Sequence, residues 1–201
     1  MRSNYSKVFI TFRKYYQPVP LEYFKNDPYK TLISTLLSSR TRDEVTLEAS
    51  KRLFNKAANI IKLKNLKTAE IEKQIYPVGF YKTKALHLKK LAEIINNEYK
   101  GQIPCTRTVL VHLPGVGIKT ANLVLNRAFA IPAIAVDTHV HRISNLLGWV
   151  RTKTPEQTEK ELVKILPRTY WSDMNRLFVS IGRQFNTKNK LEEFLKKEKL
   201  I

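Results

Sequence analysis

The chain has 201 residues, 43% of them apolar and 26% charged. That is enough to bury a core and too polar to span a bilayer: the stretch free of charge from Ala128 to Val136 is broken by Pro132 and falls short of the ~20 residues a membrane helix needs. Thirty-six Lys and Arg against seventeen Asp and Glu leave a net charge of +19, and the single cysteine, Cys105, excludes an internal disulfide and any site built from several thiolates.

An excess of positive charge is most naturally offset by a polyanion, with nucleic acid the first candidate and a merely solvated lysine coat the bland alternative. The N-terminus alternates charge and aromatics without an apolar block, so no secretory signal is expected and the protein reads as intracellular, in cytoplasm or nucleoid.

In chain order the punctuation is helical. Asp27-Pro28 predicts an N-cap with proline at the first helical position, opening the run Leu32, Ile33, Leu36, Leu37. Thr41 with Glu44 three residues on predicts a capping box. Thr83 is expected to cap a helix whose face is Leu88, Leu91 and Ile95, ending near Gly101. Thr154-Pro155-Glu156-Gln157 opens another, and Met174, Leu177, Phe178, Ile181 and Phe185 form one helical stripe. No period-two alternation stands out, so the class is all-α, with roughly ten short helices.

Chemistry concentrates between residues 107 and 145. In RTVLVHLPGVGIKTANLVLNRAF a helix is expected to end at Leu113, Pro114-Gly115-Val116-Gly117 to turn the chain, and helical periodicity to resume at Ile118. Two glycines around one apolar residue allow tight turns and leave amide N–H groups open at the start of the second helix, where a phosphate can sit. An ordinary helix-turn-helix connection reads the same way. Lys119 then falls in the first helical turn, where the dipole disfavours a cation and favours a free amine able to form a Schiff base; a phosphate-contacting lysine is the alternative.

Downstream, AIAVDTHVHRISNLLGWV places an apolar segment ahead of Asp137, the expected N-cap of a helix bearing Val140, Ile143 and Leu147 and closed by Gly148. Its carboxylate could face a cationic transition state or serve only as a cap. His139 and His141 stand two apart, on different helix faces, which argues against a zinc pair; His139 lines a pocket or is structural.

Together LPGVGIKTANLVL and VDTHVHRISN closely resemble the endonuclease III group of the helix-hairpin-helix DNA glycosylases. Looser similarity runs from LLSSRTRDEVT (36–46) through VGFYKTKA (78–85) to FVSIGRQF (178–185), so that residues 20 to 185 are covered. The resemblance implies two helical lobes: a six-helix barrel with the hairpin over 20–131, and a second lobe from 1–19 and 132–201. DNA is expected across the cleft between them, read by a monomer.

The resemblance implies further that Lys119 is the nucleophile attacking C1′ of a flipped-out nucleotide and that Asp137 assists. It places Leu113, Gly115, Val116 and Gly117 at DNA, with His139 nearby. Phe80 matches an apolar wedge and Arg40 stands where glutamine is usual; an apolar turn residue and a phosphate clamp are their plain alternatives. Many relatives carry four cysteines for a [4Fe–4S] cluster after the segment matching Ile181-Gly182-Arg183, but this chain continues QFNTKNKLEEFLKKEKLI and has none there. No cofactor is therefore expected, although a monovalent cation at the hairpin is compatible with it. The expected activity is removal of oxidised pyrimidines from damaged double-stranded DNA, with β-elimination at the abasic site. The alternatives are a T/G or U/G mismatch glycosylase on the same scaffold and a non-catalytic DNA-binding protein.

Overall fold

The structure, a computed structural model, describes residues 4–201 and is helical throughout, with no strand among the described residues. No helix among them is long and apolar enough to cross a membrane. In chain order the helices are α1 (Tyr5–Lys14), α2 (Pro28–Ser38), α3 (Asp43–Lys56), α4 (Ile60–Asn65), α5 (Thr68–Ile75), α6 (Tyr81–Glu98), α7 (Arg107–Leu110), α8 (Ile118–Phe129), α9 (Thr138–Leu146), α10 (Pro155–Ile165), α11 (Trp171–Gln184) and α12 (Lys188–Lys197). They fall into two compact units. One is Pro20–Ile131; the other joins the N-terminal segment through Val19 to Pro132–Ile201, with residues 1–3 outside the description.

In the first unit α2 is the central helix, because seven consecutive residues from Thr31 to Leu37 are buried and a helix apolar on all sides must be enclosed. It packs on α8, α3 and α6. Asp27 caps it as the sequence predicts, accepting from the Lys30 N–H at 2.9 Å. Two buried hydroxyls of α2 are satisfied locally: Tyr29 donates to Ala57 O at 2.7 Å and Thr31 to Phe24 O at 2.7 Å, so burying them carries no desolvation penalty of an unpaired hydroxyl.

Two sequence-based caps fail. The helix after Thr41 starts at Asp43 with Arg42 at the N-cap and no side-chain cap bond. Thr41 is instead drawn to the neighbouring loop, accepting from the Gly79 N–H at 3.1 Å. Thr83 likewise does not cap, since α6 begins two residues earlier and its N-cap is Phe80, in the left-handed region at φ 58°. Tertiary contact between these two loops overrides the local signal.

The second unit is built on an aromatic core. Val8, Phe9 and Phe12 of α1 are fully buried with Met174, Leu177, Phe178 and Ile181 of α11, the stripe expected from periodicity. Phe12 meets Phe178 edge-on at 5.0 Å, and Trp149 donates from Nε1 to Asn4 Oδ1 at 3.1 Å. Thr154 caps α10 through the Gln157 N–H, as its motif predicts.

The lysine-rich C-terminus is a packing helix. Leu191, Phe194 and Leu195 of α12 are buried against this core while its lysines face water. Phe194 stacks on Phe185 at 4.2 Å and meets Tyr15 edge-on at 5.2 Å, and Tyr15 donates to Glu198 at 2.8 Å. Truncating Phe194 to alanine removes this seat, and the expected loss in urea denaturation is about 3–5 kcal/mol; a loss below about 1 kcal/mol would mean that α12 is only draped on the unit.

Candidate functional site

The hairpin comes from the first unit. After α7 the chain turns through Leu113 to Gly117, closed by the Val116 N–H donating to Leu113 O at 3.0 Å, and enters α8 at Ile118. Leu113 and Val116 are 4% and 6% exposed, so their side chains anchor the hairpin and only their backbone is available to a ligand.

The two glycines are required for different reasons. Gly115 has φ +77°, and a Cβ there would lie 2.7 Å from Nδ1 of His87 and 3.2 Å from Leu36; the protein itself demands glycine. Gly117 has φ −90°, an ordinary value, and a Cβ there would meet nothing within 4 Å. No neighbour excludes a side chain at 117; glycine is a favoured N-cap there, and its lack of a Cβ leaves unobstructed the N–H groups at the start of α8, which with the dipole favour an anion. Gly115→Ala is expected to lower the melting temperature more than Gly117→Ala, which loses only a favoured N-cap, about 1 kcal/mol at most, yet should weaken binding to duplex DNA. Equal effects of the two changes on both readouts would remove the distinction.

Lys119 is the second residue of α8 and is exposed. This is the first-turn position its spacing predicts. Asp137, in the second unit, caps α9 and accepts from the N–H groups of His139 at 3.0 Å and Val140 at 2.9 Å. Both bonds end on Oδ1; Oδ2 takes no part in the cap. A carboxylate at this position is favoured by the helix N-terminus and still has an oxygen to offer. His139 packs its ring over the α11 backbone, where a Cβ on Gly182 would lie 2.3 Å from Nδ1, and His141 bonds Thr158 at 2.6 Å. Arg142, in the same motif, donates to Gly182 O, Phe185 O and Asn186 O at the end of α11. Most of the polar residues of VDTHVHR thus build the second unit.

Arg40 and Phe80 do come together. The guanidinium lies 5.5 Å from the ring centre, and Phe80 is 60% exposed. Beside them, still within the first unit, is a cavity of about 360 Å³ lined by Ser39, Arg40, Phe80, Lys84, His87 and Gly115. Sequence reading passed over Lys84 in it. The available signal was its place at the head of the buried stripe Lys84, Leu88, Leu91, Ile95, where a lysine is out of character.

A four-thiolate cluster does not fit. Cys105 is exposed and precedes α7, and the described residues hold no group of three or more His, Cys, Asp or Glu able to hold a metal. The residues following α11 carry the apolar face of α12 instead.

Residues 33–168 match the HhH-GPD superfamily of base excision DNA repair proteins. The chain is similar to Endonuclease III of Thermotoga maritima, 46% identical over 82% of this chain and 78% of that one. It is also similar to Endonuclease III-like protein 1 of Mus musculus, 43% identical over 78% of this chain; it spans about half of that longer protein, 53%. Among solved structures, a trapped endonuclease III–DNA covalent intermediate, an estranged-adenine complex, superposes with a TM-score of 0.75 at 38% identity, covering 80% of this chain and 76% of that one.

Proposed function

The chain belongs to the HhH-GPD superfamily of base excision DNA repair proteins, and from that premise we propose that it excises oxidised pyrimidines from double-stranded DNA and then cleaves the strand, using Lys119 as nucleophile. The observation that carries this reading is a lysine, exposed in the first turn of α8, two residues after a glycine where no neighbour lies within 4 Å of an added Cβ.

The chemistry follows from those residues. Backbone N–H groups at the start of α8 bind a phosphate and set the register of the duplex without choosing a sequence. Lys119 Nζ, as the free amine, attacks C1′ of the extruded nucleotide. The C1′–N bond breaks and its electron pair leaves with the base. Positive charge builds on the sugar at that stage, and the Asp137 carboxylate stabilises it and takes the proton that Nζ sheds. The C1′–O4′ bond then breaks, O4′ taking the proton held on Asp137, and the ring opens to an imine between Nζ and C1′; the imine acidifies the C2′ proton, whose loss expels the 3′ phosphate, and water hydrolyses the C1′–Nζ link to release the enzyme. Extrusion costs a few kcal/mol, and Phe80 fills the vacated stack while Arg40 faces the orphaned partner base.

The test is a panel of duplexes carrying thymine glycol, dihydrouracil, an abasic site, T·G or U·G. Excision of the two oxidised pyrimidines and nicking at the abasic site are expected. Excision confined to T·G and U·G would transfer the protein to the mismatch branch, and binding with no excision or nicking would reduce it to a non-catalytic binder.

A further inference from the structure

A buried lysine joins the two loops that carry Arg40 and Phe80. Lys84, in the first turn of α6, is 7% exposed, and lysine is almost never buried without a partner. No carboxylate faces it among its bonds. Its ammonium donates to Leu37 O at 2.8 Å, Ser39 O at 2.5 Å and Thr41 Oγ1 at 3.3 Å, which places a cation on carbonyls at the C-terminal end of α2, where a helix leaves acceptors unfilled and its dipole favours positive charge. Thr41 Oγ1 also accepts from the Gly79 N–H at 3.1 Å. The loops touch so closely that a Cβ on Gly79 would fall 2.5 Å from Arg40 O.

This clamp holds two residues in an unusual state. Arg40 and Phe80 have φ 51° and 58°, values that are uncommon for side chains and exceptional for a bulky aromatic. Such backbone persists only where surrounding contacts fix it, and it clusters at functional sites. The side chains it presents are exposed, so the strain adds nothing to the core.

We propose that Lys84 is a positioning residue for base extrusion: by tying the end of α2 to the start of α6 it presents Arg40 and Phe80 as one rigid wedge before DNA arrives. The inference rests on the glycosylase reading above. Withdrawal from water pushes the Lys84 ammonium down to about 8, so it keeps its proton at neutral pH. It needs all three hydrogens, because a neutral amine has too few to serve three oxygens.

The experiment compares two substrates. Single-turnover excision of dihydrouracil from a paired duplex requires extrusion, whereas borohydride trapping on a preformed abasic site places much less demand on the wedge. Lys84→Met, of similar length and without a donor, is expected to slow excision about tenfold or more and leave trapping within about twofold. Gly79→Ala, which forces the loops apart without touching the ammonium, should give the same split. The rise in fluorescence of a 2-aminopurine placed beside the lesion, which reports unstacking on binding, should shrink in both. Because trapping needs an intact α8, its retention shows that the variants fold. Equal losses of excision and trapping in both variants, or no loss in either, overturn the inference alone. No adduct with the unsubstituted protein overturns the parent reading, and this one with it.

Discussion

Borohydride added to the protein on abasic-site DNA is expected to trap a covalent adduct, and Lys119→Arg to abolish it, a drop of at least about 10³-fold in yield, while duplex affinity should stay within about twofold. The arginine variant matters more than alanine. Guanidinium keeps the positive charge at the N-terminus of α8 and cannot be deprotonated, so it retains phosphate attraction and loses nucleophilicity. If Lys119 serves only to hold a phosphate, the arginine variant binds normally and the adduct persists, its nucleophile lying elsewhere. The placement of Lys119 favours the first outcome. It is exposed and in the first helical turn, two residues after a glycine where an added Cβ would meet nothing within 4 Å, so the approach to it is open.

How much of this was legible in the sequence depends on what set each feature. Caps and stripes set within one turn of chain were readable: Asp27, Asp137 and Thr154 each accept the backbone N–H groups their motifs predict, because those bonds close within three residues. The hairpin glycines were readable as a pair, but sequence alone could not separate Gly115, excluded from substitution by His87, from Gly117, free of neighbours. That distinction depends on a residue 28 positions away. The same holds for Thr41, whose capping signal loses to contact between loops nearly 40 residues apart. Lys84 was overlooked because its partners are backbone carbonyls of another helix, which leave no trace in residue type. The C-terminal segment lay between the two extremes: the absence of cysteines was plain, but only the core showed that Leu191, Phe194 and Leu195 fill space there as a helix.

Asp137→Asn separates the two duties that Asp137 combines. Asparagine is as good an N-cap as aspartate, and both cap bonds end on a single oxygen, Oδ1, which the amide retains. The variant therefore keeps α9, with a stability reduced by no more than the charge–dipole part, about 0.3–1 kcal/mol. What it removes is the charge on Oδ2. If that oxygen steadies the developing cation at C1′, excision under single-turnover conditions falls by about 10²–10³ while affinity for the damaged duplex is unchanged. Asp137→Ala loses the cap as well and should add about 1 kcal/mol of instability, so stability and turnover move together in alanine and apart in asparagine. Turnover that survives in asparagine and falls only in alanine makes the carboxylate a cap and no more, and the charge stabilising the sugar must then come from another group. A fall in both, with affinity intact, ties the reaction to the one oxygen that the helix leaves unused.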